Sequence, residues 1–596
     1  MEMKSTFLKR LGLTQLILGA AIFCALVPVH DAKAGDDHDH LVTDWSHRRL
    51  VFSEPHSLMK RFELSANPRY IQQLKRRHAE RERDRNEWRW HRAPDGSNHI
   101  QGDWSMDMGP GATVGAGNYP AKYSFDINSA NCASAATPDF VVYNTSQPGS
   151  LTQPTIVAFD NLYTGTCTGT TPQVYWSYNT GSAGAITTSP VLSFDGKQVA
   201  FVQNTGTGAN LVILRWKAGD GTLILPTTPP TGACTALTAP CMQIVPFSTA
   251  NSDTNTLDTF SSPFYDYGHD ELYVGDSSGF LHKFTQVFLG TPSEVVSTGP
   301  STFWPASLTG NFGRLNSPVF IATPFNEIMV TGSDGVLYAV DSTLGGVAVN
   351  GVNFTPKLAN SGFDDGPLVD VTTSKLYVFV RADIATSVAS VIQFAIPATP
   401  SALHNVTGTQ VIVSNSATTP ASAFYTGTFD DTYYSSGTNS GYLYVCSTSG
   451  TVNAIWGIPL TNAVMGTPFL GPTITTANVG CSPVTEFNNP NTNLDHIYLS
   501  VAGSAITADS QIKCPAASGC IMSFDVDSPM STSTPTSATA SVTGGTSGII
   551  IDNAATGTGE SQVYFTPLSD QACAGSGGVG NGTGGCAIQA SQSALF

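Results

Sequence analysis

One repeated phrase limits what this chain can fold into more than any other feature. A Ser-Pro or Gly-Pro step opens a short apolar strand, and roughly ten residues later a second strand follows, often apolar-Tyr-Val, in places with a Gly-containing turn and a third strand behind it. Ser189-Pro190-Val191-Leu192 precedes Gln198 to Val202. Ser262-Pro263-Phe264 precedes Glu271 to Val274, and the turn at Asp276 to Gly279 leads into Phe280 to Phe284. Ser317-Pro318 precedes Glu327 to Val330, with Ser333-Asp334-Gly335 turning into Val336 to Asp341; Gly366-Pro367 precedes Lys375 to Val378. Weaker copies follow at Tyr442 to Val445, His496 to Leu499 and Gln562 to Phe565. A strand-turn-strand unit returning about every 50 to 60 residues signals radial repetition, in which each unit buries both faces against its neighbours. The fold class is therefore all-β, a propeller of seven or eight blades. Seven units run from Ser189 onward, and Asp139 to Tyr178 supplies strands for an eighth blade or for completing the ring. A β-sandwich pair or a β-helix is the rival architecture.

The compartment is read from the first residues and the cysteines. Lys4, Lys9 and Arg10, an apolar run from Leu11 to Val27, and Ala32-Lys33-Ala34 before Gly35 form the three parts of a secretory signal, so residues 1–34 are expected to be removed. No later stretch approaches the roughly 20 apolar residues of a membrane helix, and no transmembrane anchor is expected after cleavage. Of the 11 cysteines, loss of Cys24 leaves Cys132, Cys167, Cys234, Cys241, Cys446, Cys481, Cys514, Cys520, Cys573 and Cys586. An even set in an exported chain reads as a disulfide framework. Spacing suggests pairs of neighbours, 132 with 167, 234 with 241, 446 with 481, 514 with 520 and 573 with 586, although sequence does not prove connectivity.

Charge divides the remainder near Asp95. Gly35 to Asp95 holds 13 Lys and Arg against 11 Asp and Glu, whereas Gly96 to Phe596 holds 10 against 31, a formal charge of −21. Such a body does not attract nucleic acid or anionic lipid by its own field. Residues 35–100 read as a charged, partly helical N-terminal arm and 101–596 as the propeller. Tyr70 to Trp90 contains no Gly or Pro and is dense in Arg, Glu and Gln, so it is expected to be helical, yet it lacks an apolar stripe along its length. Lys75, Arg76, Arg77, Arg81, Arg83, Arg85, Arg89 and Arg92 are candidates for holding an anionic partner such as a surface polysaccharide. A solvated arm, and docking of the arm on the acidic body, are the other readings.

At Ser262 to Phe284 and Ser317 to Asp341 the chain resembles the quinoprotein-like (PQQ-repeat or YVTN-type) β-propeller superfamily, and Val174-Tyr175-Trp176-Ser177-Tyr178 is similar to the tryptophan strand of such repeats. The resemblance covers about 400 residues and implies the fold rather than a chemistry. Gly117 to Tyr123 also resembles a region of uncharacterised secreted bacterial proteins. The superfamily's dehydrogenases hold pyrroloquinoline quinone over Ca²⁺, commonly against a disulfide between adjacent cysteines; no adjacent cysteines occur in this sequence, and no cofactor is expected.

Candidate chemistry is thin, and no catalytic residue is assigned. Gly275-Asp276-Ser277-Ser278-Gly279 fits Gly-x-Ser-x-Gly but joins two strands, where a nucleophile elbow turns from strand into helix. His269, His282, His404 and His496 are widely separated, and the adjacent pairs Asp364-Asp365 and Asp430-Asp431 suit turn caps. Asp36, Asp37, His38 and His40 are weak candidates for a Zn²⁺, Ni²⁺ or Cu²⁺ site. The expected function is non-enzymatic binding or scaffolding in the periplasm, at the cell surface or outside the cell. A protein or polysaccharide ligand would sit on one propeller face, on loops such as 204–210 and 484–495. A carbohydrate-active or quinone-dependent extracellular enzyme is the alternative.

Overall fold

The computed structural model describes residues 40–82 and 100–592, apart from short loop stretches of which 250–258, 354–361 and 553–561 are the longest. Eight sheets of four or five strands succeed one another along the chain. The first strands of successive sheets touch, as Phe264–Asp266 touches Val319–Ile321 and Ile550–Asp552 touches Ala121–Ser124, so they line one axis. The protein is an eight-bladed β-propeller. Blades 1 to 7 begin with Ala121–Ser124, Val191–Leu192, Phe264–Asp266, Val319–Ile321, Leu368–Asp370, Thr428–Phe429 and Thr485–Asn489. Blade 8 is made of Ile550–Asp552, Gln562–Phe565, Cys586–Gln592 and, from far upstream, Ile100–Asp107. This last strand pairs from Ile100 with Gln592 to Asp107 with Cys586, fastening the two ends of the ring together. Because a blade is covered on both faces, its second strand is apolar almost throughout: Leu272, Tyr273 and Val274 are wholly buried, as are Ile497, Tyr498 and Leu499. Gly279, Gly335 and Gly450 take φ of 88°, 82° and 66° in the turns, a region that residues with a Cβ rarely enter.

The Ser-Pro phrase has a direct structural role. The backbone N–H of Tyr119 donates to Ser189 Oγ at 2.9 Å, that of Ser189 to Ser262 Oγ at 2.9 Å, and that of Ser262 to Ser317 Oγ at 2.8 Å. Each hydroxyl thus accepts the N–H of the equivalent residue one blade earlier, and proline follows because the next position donates to no ladder. Blade 5 departs from the pattern at Gly366, where a Cβ would meet the Ser317 carbonyl oxygen at 2.2 Å. Later blades keep the link with other atoms: the Thr426 N–H donates to Asp365 Oδ2 and the Thr546 N–H to Ser500 Oγ.

Residues 40–53 cross the middle of the ring. Leu41–Thr43 pairs antiparallel with the first strand of blade 1, and Leu50–Val51 pairs parallel with the first strand of blade 5, four blades away. Between them Trp45 Nε1 donates to the Pro263 carbonyl of blade 3, and Arg49 Nη2 meets Asp365 Oδ2 at 2.5 Å with both side chains buried. A helix over Leu58–Leu64 and a second over Pro68–Glu82 follow. The second is held largely by polar groups: Arg69 donates to the Tyr265 carbonyl, Gln73 to the Phe52 carbonyl, and Arg77 reaches Asp431 at 2.6 Å and Glu486 at 3.0 Å. The expected boundary between arm and propeller at residue 100 therefore falls at the start of a blade strand, and residues 40–82 share one compact unit with the ring.

Five disulfides join Cys132 to Cys167, Cys234 to Cys241, Cys446 to Cys481, Cys514 to Cys520 and Cys573 to Cys586. The first and third span 35 residues each, the second and fourth only 7 and 6. By loop-closure entropy the long pair contributes about 3–4 kcal/mol per bridge and the short pair about 2–3. Replacing Cys132 and Cys167 by serine should therefore lower the urea midpoint more than replacing Cys514 and Cys520. Equal midpoints in equilibrium unfolding would remove loop entropy as the explanation.

Candidate functional site

The crossing segment does not fill the ring centre completely. A partly open pocket remains between it and blades 6 and 7, with a volume of about 390 Å³ counting its mouth and room inside for about one or two water-sized groups. His47, Arg48 and Arg49 enter from the segment, Arg76 from the helix Pro68–Glu82, Tyr119 from the turn before blade 1, and Thr426, Thr428, Tyr434 and Glu486 from blades 6 and 7. The lining thus carries three guanidinium groups against one carboxylate.

These charges are not equally compensated. Arg49 is neutralised by Asp365. Glu486 receives Arg77, whose guanidinium also lies 3.8 Å from the Tyr434 ring centroid; burial raises the Glu486 pKa and Arg77 opposes the rise. Among the described residues Arg48 and Arg76 form no ion pair. Burial pulls the Arg48 guanidinium down to about 10 and the like charge of Arg76 adds to this, while Tyr119 and Glu486 oppose it. His47, buried beside Arg69 and Arg76, is held neutral, its pKa well below the ordinary value mainly by burial.

Among solved structures, the chain is similar to Sqt1 from Saccharomyces cerevisiae at 8% identity, covering 83% of this chain and 98% of that one with a TM-score of 0.42. It is also similar to BamB from Moraxella catarrhalis at 12% identity, covering 77% and 92% with a TM-score of 0.35. No protein-family description and no curated protein matches the sequence.

The individual candidates fall in different places. Asp36, Asp37 and His38 lie outside the described residues, as do Arg83, Arg85, Arg89 and Arg92, the side chain of Arg81, and His404. His40 packs edge-on to Phe194 with centroids 4.5 Å apart. Among the described residues no group of three or more His, Cys, Asp or Glu could hold a metal ion, and no helix is long and apolar enough to cross a membrane. Of the helix cations, Arg76 lines the pocket and Arg77 is buried in its two ion pairs. Asp276 accepts from the N–H groups of Ser278 and Phe280, so the Gly275 to Gly279 string is a capped hairpin turn. Asp430 caps the short helix Asp431–Ser435, and Asp364 accepts the Phe424 N–H. Gln198–Asn204 and Ala209–Arg215 are paired strands on either side of 205–208, of which 206 lies outside the described residues; Thr485–Asn489 and Leu494–Val501 are paired strands, with 490–493 outside the described residues. Arg48 and Tyr119, which the sequence did not single out, belong to the site together with Glu486 of the 484–495 stretch; only their convergence from three distant segments marks them.

Two further buried charged clusters lie between or within blades. Lys122 Nζ, on blade 1, is 2.6 Å from Asp552 Oδ2 on blade 8 and donates to Tyr163 Oη at 3.1 Å; Tyr163 donates in turn to Asp139 at 2.5 Å. The Lys122 side chain is 1% exposed. Lys122→Met should destabilise the protein by about 3–5 kcal/mol, since it strands buried carboxylates on the seam that closes the ring. Loss under 1 kcal/mol in urea unfolding would show that the seam does not depend on this cation. In blade 3, His282 lies between Glu294 Oε1 at 2.6 Å and Asp276 Oδ2 at 3.3 Å. Burial alone would lower its pKa, but the two carboxylates outweigh it and the imidazole is held protonated above the ordinary range. Both clusters are closed within the fold.

Proposed function

We propose that this protein is an exported, disulfide-stapled propeller of the quinoprotein-like repeat type that works by binding rather than by chemistry, in the periplasm or at the cell surface. The observation that carries this reading is the crossing segment. It occupies the axis where a propeller could hold a deep cofactor, and leaves its ring faces and one shallow cationic pocket for contact with a ligand. A propeller with five disulfides suits an oxidising compartment and the presentation of one face to a protein or polysaccharide. The secretory signal read from residues 1–34 accords with this.

Native mass spectrometry of the protein from its own exported fraction, intact and after reduction, tests the reading, followed by a glycan array. The expected mass corresponds to a chain starting at Gly35 with five disulfides and no bound group, and the array should show a carbohydrate or leave protein partners to cross-linking. A co-purifying quinone with calcium would replace binding by redox catalysis.

A further inference from the structure

We infer that the ring-centre pocket lined by Arg48, Arg76, Tyr434, Thr426 and Thr428 is a binding site for a compact oxyanion, a phosphate, sulfate or carboxylate group. The inference deepens the binding reading above and rests on it for the pocket's being a ligand site.

Arg48 and Arg76 are brought to one half-buried pocket without ion pairs among the described residues, in a body whose propeller part carries a formal charge of −21. Acidic side chains are abundant, and two neighbouring buried arginines have them, Arg49 with Asp365 and Arg77 with Asp431 and Glu486, while Arg69 donates to Ser46 Oγ and the Tyr265 carbonyl. Two like charges facing one space raise each other's free energy, more so where water is partly excluded. An anion from solution relieves this repulsion and supplies the acceptors that the two guanidinium groups lack. Glu486 attracts both guanidinium groups but compensates them only in part, because it is shared with Arg77, which donates to its Oε2 at 3.0 Å, and its Oε1 makes no hydrogen bond to either.

Shape narrows the class. With room for about one or two water-sized groups, the pocket takes a tetrahedral or planar oxyanion head and excludes a sugar ring or a nucleobase. Guanidinium matches the paired oxygens of carboxylate, sulfate and phosphate, whereas chloride offers no such pair. Tyr434 adds a neutral polar group to the lining, while the Thr426 and Thr428 hydroxyls donate to Asp365 Oδ2 and the Phe429 carbonyl. The partly open mouth lets the anion be either a free ion or the charged substituent of a longer chain lying outside, and both present the same group to the arginines.

The test is calorimetric titration of the full mature chain with sodium phosphate, sulfate and acetate, each against sodium chloride at equal ionic strength, with thermal unfolding in the same solutions. Saturable binding of at least one oxyanion and a matching rise in midpoint are expected. Arg76→Gln should weaken the apparent Kd at least ten-fold, and Arg48→Gln with Arg76→Gln should abolish binding while the midpoint in chloride is unchanged or higher. Should the double variant fold poorly, the single Arg76→Gln, on a half-exposed helix position, decides. Absence of saturable binding by all three oxyanions, or equal affinity in the Arg76→Gln variant, would overturn the inference and leave a positive glycan or cross-linking result untouched. A sulfated or uronate oligosaccharide binding more tightly than the free ions, through the same arginines, would identify the anion as part of a longer chain.

Discussion

A chain shortened to begin at Ile100 is expected to lose its cooperative unfolding transition near room temperature, although it retains every strand of blade 8. The crossing segment explains the size of the effect. Trp45, Leu50, Val51 and Phe52 are between 1% and 3% exposed, and burying such a side chain contributes about 1.5–3 kcal/mol each. Removing Arg49 leaves Asp365 buried without its cation, a further loss of about 3–5 kcal/mol. Losing Arg77 strips Asp431 and Glu486 as well. The sum, on the order of 10 kcal/mol, is comparable with the whole stability of a typical domain. Circular dichroism and urea unfolding of the shortened and intact chains compare the two directly. Arg49→Ala provides a graded version, with an expected loss of about 3–5 kcal/mol that leaves the strand pairings in place. Coincident unfolding curves for the intact and shortened chains would show that the ring is self-sufficient and the segment merely rests in it.

The protein is also expected to be markedly more stable at pH 5 than at pH 8. Burial pushes Asp103 and Asp160 up to about 6, Asp139 and Asp430 to about 7, and Glu327 to about 8. A carboxyl whose folded pKa is raised binds its proton more tightly in the folded state. Its contribution is fully present below the unfolded value near 4 and is lost as pH rises through the folded value. For these groups the window runs from about pH 4 to about pH 8, and over it each removes on the order of a few kcal/mol. The growing negative charge of the propeller acts in the same direction. Glu327 supplies the control: it is buried, and neither oxygen has a hydrogen-bond partner. Glu327→Gln should raise the thermal midpoint at pH 8 and leave it nearly unchanged at pH 5. Scans at fixed ionic strength from pH 5 to pH 8 check both; a midpoint that is flat or rises with pH would contradict the burial argument.

Much of the ring was readable because propeller blades repeat a local problem. The Ser-Pro step, the apolar-Tyr-Val strand and the Gly turn recur because each blade needs a hydroxyl for its neighbour's N–H, a strand covered on both faces, and a tight hairpin. Blade 8 was harder to read, since its outer strand Ile100–Asp107 lies about 480 residues from its partner Cys586–Gln592, and no local pattern reports such a pairing. The helix over Pro68–Glu82 was visible from composition, but its burial was not. A stripe of apolar residues is the usual signal of a packed helix, and here Tyr70 is buried together with Arg69, Gln72, Gln73 and Arg77, which are partnered by Val42 and Phe52 of the crossing segment and by the Tyr265 carbonyl, Asp431 and Glu486 of the blades.

The sequence by itself determined the all-β repeat, the turn positions and the grouping of the cysteines, because hydrophobic alternation, glycine turns and short loop closures act between residues near in the chain. Tertiary structure alone decided that there are eight blades, that residues 40–53 span the ring from blade 1 to blade 5, and that Arg48, Arg76 and Glu486 face one pocket. These depend on ring closure, which brings together polar groups hundreds of residues apart. Their pairing is set by geometry in a low-dielectric interior rather than by any preference of the local chain.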